Sequence, residues 1–80
     1  MYLEIITPDK KVFEGEIASV ILPGSEGSCG ILNNHAPIIS TLGYGEIKIT
    51  DKSQKTQVFN IGGGVVEVIN NKINVLAENV

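Results

Sequence analysis

The sequence contains no arginine, no tryptophan, one cysteine and one histidine in 80 residues. A lone cysteine excludes an internal disulfide and is typical of a reducing compartment. The six lysines are outnumbered by nine acidic residues, which gives a net charge of −3. Because nucleic-acid binding needs a basic surface and uses arginine to read base edges, this balance argues against a nucleic-acid partner.

Long apolar segments are also missing. No apolar run approaches the roughly 18 residues of a membrane-spanning helix, and no signal-peptide pattern opens the chain. No window of the sequence has apolar residues at the spacing of an amphipathic helix over about ten residues, so we predict no long helix. We expect any membrane association to run through a protein partner.

Short apolar segments separated by turn residues fill the chain instead, and they predict β-strands. Turns are predicted at Pro8-Asp9, at Gly43-Tyr44-Gly45, at residues 51–53 and at Asn70-Asn71. The predicted strands span residues 2–7, 10–14 (ended by Gly15), 16–22, 38–42, 46–50, 57–61, 65–69 and 73–76. This pattern predicts an all-β fold, a flattened antiparallel β-sandwich or barrel of about 8–10 short strands, forming a single domain over residues 1–80.

The third of these strands is apolar on both faces. One face carries Ala18, Val20 and Leu22, and the other carries Ile17, Ser19 and Ile21. A strand of this kind is usually covered on both sides. It is therefore central in the fold, or it presents one side to a partner.

The segment from residue 22 to residue 37 is predicted to be a long surface loop, and such loops are often functional. It holds Cys29 and His35, but no motif places an orienting acid beside them, so we predict no catalytic residue. One Cys and one His are too few for a zinc site. The run Gly62-Gly63-Gly64 lacks the Gly-Lys-Ser/Thr ending of a phosphate loop. From these two observations together we predict neither a metal nor a cofactor.

One alternative function concerns Lys52, which lies in the turn Asp51-Lys52-Ser53. Small acidic all-β domains carry lipoyl or biotinyl arms on a lysine at a hairpin tip, and this Asp-Lys pair is similar to the lipoyl motif. The polar residues after it and the lack of two matching halves depart from that pattern. A carrier or generic interaction domain remains the alternative, with an ordinary polar turn as the simpler explanation of the lysine.

A more extensive resemblance begins in the predicted loop. Its segments Gly24-Ser-Glu-Gly27, Gly30-Ile31 and His35-Ala-Pro37 resemble the signature of the ε subunit of F-type ATP synthases, which translocate protons or sodium ions. The segments 12–15, 45–49, 62–68 and 74–77 are similar to later parts of the same amino-terminal β domain, in the same order. The resemblance covers essentially the whole chain.

The resemblance implies a non-catalytic rotor subunit of the central stalk. Such a subunit links the γ subunit to the membrane c ring and couples ion-driven rotation to ATP synthesis, at the cytoplasmic face of the bacterial inner membrane and peripheral to it. Glu26 would pair with a basic ring residue, although each loop residue could instead serve only its own turn. The implied ring-facing residues are Ser25, Glu26, Gly27 and Ser28, and the implied γ-facing residues are Thr7, His35, Ala36, Pro37 and Ser40.

Three departures from the family pattern are visible. Ser28 stands where the family often has a second acidic residue, so we expect a weaker or polar contact with the ring there. Asn33-Asn34 stands where the family commonly has Pro-Gly, and asparagine tolerates the left-handed backbone that such a turn needs. Many ε subunits also continue into a carboxy-terminal helical hairpin that binds ATP or acts as a brake. We expect no such hairpin within these 80 residues.

Overall fold

The computed structural model describes residues 1–24, 27–31 and 37–80, and for residues 27–31 it describes the backbone. No helix occurs in this described part, and therefore none that could cross a membrane. The strands are β1 (Tyr2–Ile6), β2 (Lys11–Glu16), β3 (Ser19–Gly24), β4 (Gly27–Ile31), β5 (Ile38–Leu42), β6 (Gly45–Thr50), β7 (Thr56–Ile61), β8 (Gly63–Ile69) and β9 (Lys72–Glu78).

These strands form two layers, and a continuous series of hydrogen-bonded strands runs from one layer into the other. The five-stranded layer has the order β2-β1-β9-β8-β5, and the four-stranded layer has the order β7-β6-β3-β4. The layers meet where Gly24 of β3 pairs with Leu42 of β5. The predicted all-β sandwich is therefore confirmed.

The core lies between the layers and draws on the inward-facing residues of both. In β6, Ile47 and Ile49 are buried while Glu46 and Lys48 are exposed, as the alternation predicts. Among the described residues, no buried side chain is polar or charged. The buried side chains are Leu3, Ile5, Ile17, Val20, Leu22, Leu42, Ile47, Ile49, Ile61, Val66, Val68, Ile73, Val75 and Ala77.

The chain crosses between the layers at a sharp corner, as the segment Gly43-Tyr44-Gly45 predicts. The Gly43 N–H donates to the Pro23 carbonyl at 2.6 Å. Gly45 has a φ of +154°, and a Cβ at this residue would lie 2.8 Å from the Cβ of Pro23. Glycine is required here because a side chain would meet both a strained backbone and the proline ring.

Two predicted turns have the expected chemistry. Asn70 and Asn71 connect β8 to β9 with φ angles of 52° and 60°, the left-handed values of a two-residue hairpin turn. Between β6 and β7, the Asp51 carboxylate accepts hydrogen bonds from the backbone N–H groups of Ser53 and Lys55, at 2.8 and 2.9 Å. Both hairpins are antiparallel, as predicted.

The boundaries around the second and third strands differ from the prediction. Gly15 does not end the second strand, because β2 continues to Glu16 while Gly15 pairs with Leu3. The third strand starts at Ser19 and runs to Gly24. Ile17 precedes it and is fully buried while Ile21 is exposed, so the two do not share a face as predicted. Ala18 is exposed and does not share the buried face of Val20 and Leu22, because the regular alternation begins only at Ser19.

The largest correction falls in the predicted loop at residues 22–37. Gly27–Ile31 form β4, which pairs antiparallel with β3 from Val20↔Ile31 to Gly24↔Gly27. Glycine-rich sequence weakly favours strands, but a short connection to β3 brings these residues directly beside a pairing partner. One further difference is that β1 and β9 pair parallel, whereas the other pairs are antiparallel.

Candidate interaction surfaces

Two of the predicted ring-facing residues lie at the start of β4. Gly27 and Ser28 are the first residues of β4, and their backbones pair with Gly24 and Pro23. Ser25 and Glu26 connect the two strands in sequence and lie outside the described residues. The hairpin is anchored at the corner between the layers, since Pro23 and Gly24 also contact Gly43 and Leu42.

Of the predicted γ-facing residues, those that the structure describes lie at separate places on or beside the five-stranded layer. His35 and Ala36 lie outside the described residues. Pro37 is exposed immediately before β5, and Ser40 is exposed within it. Thr7 follows β1, which two strands, β9 and β8, separate from β5 in the sheet order. The structure therefore does not bring Thr7, Pro37 and Ser40 into one cluster.

The hydroxyl group of Thr7 is engaged locally. It accepts hydrogen bonds from the backbone N–H groups of Asp9 and Lys10, at 3.3 and 3.1 Å. It also lies within donating distance of the Lys10 carbonyl, at 3.3 Å. Thr7 thus stabilises the turn between β1 and β2, and only part of its surface faces solvent.

A row of exposed aliphatic side chains that the sequence analysis missed crosses the outer face of the five-stranded layer, from β1 to Val65 of β8, which pairs with Thr41 of β5. Ile6, Leu76 and Val65 are adjacent across β1, β9 and β8, and they are 36%, 47% and 41% exposed. We call these three residues the apolar strip. With strands about 4.8 Å apart, the three strands and β5 beside them span roughly 14 Å. The signal was present in residues 65–69, which are apolar on both faces in the same way as β3.

A second row on the same face contains carboxylates. Glu67 of β8 lies between Val65 and Ile69 along its strand, opposite Ile39 on one side and Asn74 on the other. Glu4 follows Asn74 in this row. The two rows together form an open groove of about 370 Å³, lined by Glu4, Ile6, Val65, Glu67, Asn74, Val75 and Leu76.

The end of this face near β2 carries a cluster of charges. The Lys11 Nζ lies 2.8 Å from Glu14 Oε1 and 3.3 Å from Glu4 Oε2. Its hydrogen bonds to Glu14 and then Glu4 raise the pKa of Lys11. Hydrogen bonds from Lys11 and then Tyr2 lower the pKa of Glu14, and the bond with Glu14 raises the pKa of the Tyr2 phenol. Lys11 is thereby occupied by these two carboxylates.

The outer face of the four-stranded layer has a different pattern. Ile21 and Val58 are 45% and 48% exposed, but Lys48 pairs between them in the sheet. The aliphatic surface on this side is therefore interrupted by a charge. Lys52 lies beyond this face in the β6–β7 turn, where the hydrogen bonds of Asp51 fix the backbone and the lysine side chain is exposed.

Comparison with known proteins identifies the family. Residues 1–80 match the family described as "ATP synthase, Delta/Epsilon chain, beta-sandwich domain". The chain belongs to this family. The resemblance inferred from the sequence is confirmed.

Curated relatives support the same assignment. A protein named ATP synthase epsilon chain from Leptospira interrogans is 45% identical over 76 residues, which are 95% of this chain and 59% of that protein. One of the same name from Campylobacter concisus is 44% identical over 78 residues, covering 98% and 60% of the two chains. This chain therefore spans about three fifths of the length of these relatives.

Two solved assemblies contain chains of the same fold. One is the OSCP/F1/c-ring part of the Euglena gracilis mitochondrial ATP synthase, with a TM-score of 0.87, 21% identity, and coverage of 94% of this chain and 48% of the other. The second is the central stalk and c ring of the Tetrahymena thermophila mitochondrial enzyme, with a TM-score of 0.79, 22% identity, and coverage of 98% and 63%.

Proposed function

We propose that the chain acts as one β-sandwich unit over residues 1–80 and is a non-catalytic rotor subunit of an F-type ATP synthase. It links the γ subunit to the c ring and couples ion-driven rotation to ATP synthesis. Family membership supports this role. The observation that carries it is the apolar strip, because an uninterrupted exposed aliphatic row on one face of a small acidic domain is typical of a partner surface.

The γ subunit is the proposed occupant of the outer face of the five-stranded layer. The apolar strip extends from the Thr7 turn towards the edge strand that carries Ser40. Burying aliphatic side chains contributes about 25 cal/mol per Å² and is the main source of affinity in such a surface. In this proposal Thr7 lies at the β1 margin of the strip. Pro37 and Ser40 belong to the neighbouring β5 segment, with Ser40 on the opposite face of the sheet from Val65. His35 and Ala36 precede that segment in sequence, and their contact with γ stays part of the proposal.

The c ring is the proposed partner of the β3–β4 hairpin, through Ser25, Glu26, Gly27 and Ser28. An acidic side chain at Glu26 suits a basic residue in the polar loops of the ring. The pairing of Gly24 with Leu42 joins the turn end of the hairpin to the five-stranded layer, so a force applied there acts on both layers. A densely packed core has low compressibility and suits an element that transmits torque.

This proposal places the chain at the membrane surface. The curated relatives come from bacteria, including Leptospira and Campylobacter. We therefore propose the cytoplasmic face of the bacterial inner membrane, where the chain is peripheral and is held by its protein partners.

A matched pair of substitutions tests the proposal. Leu76 and Val58 are almost equally exposed, at 47% and 48%, on opposite outer faces. The binding partner is the catalytic head with γ, prepared without its epsilon chain. Leu76→Asp introduces a charge into the apolar strip and should lower the affinity for this partner by at least about tenfold. Val58→Asp should leave this affinity within about twofold of the original.

Binding by surface plasmon resonance checks this result, with circular dichroism to verify that both variants are folded. Equal effects of the two substitutions would contradict the proposed surface. Absence of binding by the unmodified, folded chain would contradict the proposed function itself.

A further inference from the structure

The carboxylate residue Glu67 lies among mostly aliphatic neighbours on the outer face of β8. Its neighbours on the same face are Val65 and Ile69 along β8, and Ile39 and Asn74 across the two adjoining strands. Three of these four neighbours are aliphatic. Ile39 is 74% exposed and Ile69 is 46% exposed, so the surrounding surface is open to a partner.

Within the described part of the chain, the Glu67 carboxylate has neither an ion pair nor a hydrogen bond. The lysine of this face closest to the strip, Lys11, is held by Glu4 and Glu14. Lys72 lies on β9 at the diagonal position, about 7–8 Å away, which a long side chain can span, but it forms no ion pair with Glu67 in the structure. Glu67 therefore relies on water for its solvation.

A partner that covers the apolar strip also covers Glu67, because Val65 and Glu67 lie two residues apart on the same face of β8. Covering an unpaired carboxylate removes its water and opposes binding. The interface gains most where the partner supplies a group that replaces this water. A lysine or arginine does so most strongly, since it adds opposite charge to the hydrogen bond.

We infer that Glu67 forms an ion pair with a single lysine or arginine side chain of the γ subunit. This side chain lies between Val65 and Ile69, next to the aliphatic contact that γ makes with the apolar strip. This inference rests on the proposed function and specifies the chemistry of its partner. Glu67 thereby discriminates between partner proteins with an apolar surface, because a partner without a matching cation would leave the Glu67 carboxylate buried and unpaired.

Charge also distinguishes γ from a second copy of this chain. Two copies that met through this face would each bring an unpaired Glu67 carboxylate into it, and each chain has a net charge of −3. Such an arrangement has like charges in a desolvated surface. A partner with a basic residue on an aliphatic surface is complementary to both rows.

The chain offers a matched control for the experiment. Glu46 of β6 lies opposite Asn60, just as Glu67 lies opposite Asn74, but it belongs to the outer face of the four-stranded layer. Glu67→Gln and Glu46→Gln each remove one charge while keeping the size of the side chain. Neither change alters the core, since both residues face away from it.

The test measures the affinity of both variants for the catalytic head with γ, at low and high NaCl. Glu67→Gln should lower the affinity about tenfold at low salt and flatten its salt dependence. Glu46→Gln should change neither property. A Glu67→Gln variant that binds with the affinity and salt dependence of the original chain would overturn the inference, while leaving the proposed function in place.

Sedimentation of the isolated chain gives a second measurement. A monomer supports γ as the occupant of this face. A dimer that Leu76→Asp converts into a monomer, together with unchanged binding of that variant to γ, would identify a second copy as the occupant and overturn the inference.

Discussion

The aromatic rings of Phe13 and Phe59 lie 6.1 Å apart between centroids, with an interplanar angle of 57°. Phe13 belongs to β2 and Phe59 to β7, the two terminal strands of the sheet path. Both side chains are partly buried against the core. The ring contact therefore closes one side of the sandwich, where no backbone hydrogen bonds join the described strands of the two layers.

We expect the two rings to be coupled energetically. Replacing either phenylalanine with leucine keeps an aliphatic side chain but removes the tilted ring contact, which is worth about 1 kcal/mol beyond its buried area. Urea unfolding of the two single variants and the double variant gives this coupling directly. If the losses in free energy of unfolding of the two single variants add up to the loss of the double variant to within about 0.3 kcal/mol, the ring contact does not close the sandwich in this way.

Gly64 should tolerate no side chain. Its φ is +154°, and a Cβ there would collide with the carbonyl oxygen of Leu76 on the neighbouring strand. Because backbone must move, Gly64→Ala should lower the free energy of unfolding by about 3 kcal/mol or more. Gly15→Ala is the control, since a Cβ at Gly15 meets only the Phe13 ring at 3.7 Å. Thermal unfolding of the two variants should differ widely, and similar melting temperatures would contradict the close approach of β8 and β9.

The ion pairs of Lys11 should make stability depend on pH in two windows. The pKa of Glu14 is lowered from 4.5, so its contribution is present above about pH 4.5 and is lost as the pH falls through the lower folded value. The pKa of Lys11 is raised from 10.5, so its contribution is complete below about pH 10.5 and is lost as the pH rises through the higher folded value.

Lys11→Met should therefore weaken the pH dependence of the melting temperature in both windows. Lys48→Met, in the outer face of the other layer, removes an exposed lysine that has no ion pair among the described residues and should change the profile little. If the two variants gave the same profile, the cluster would have no specific effect on stability.

Much of the fold follows from local sequence. Alternation at Glu46, Ile47, Lys48 and Ile49 predicts which side chains of β6 are buried, because successive strand residues point to opposite faces. Asn70-Asn71 predicts its hairpin because asparagine tolerates positive φ angles.

The differences arise where pairing between strands overrides local preference. The glycines of β4 lower its strand propensity, yet β3 supplies a complete set of backbone partners for it. The parallel pairing of β1 with β9 joins the two ends of the described chain, so no local pattern reports it. The apolar strip was missed for the same reason, since Ile6, Val65 and Leu76 become neighbours only when β1, β8 and β9 assemble.

The candidate site could be predicted only in part. Motifs resembling the family led to Thr7, Pro37 and Ser40, which the structure places on or beside the five-stranded layer. They did not indicate Leu76 or Glu67, whose significance depends on exposure and on cross-strand neighbours. The roles of the ring-facing and γ-facing residues stay predictions.

The central claim is that γ covers the outer face of the five-stranded layer, and cross-linking within the assembled synthase tests it most directly. A photoreactive amino acid at position 76 should give an adduct with γ, and the same group at position 58, on the opposite outer face, should give none. An adduct with γ from position 58 and none from position 76 would contradict the account.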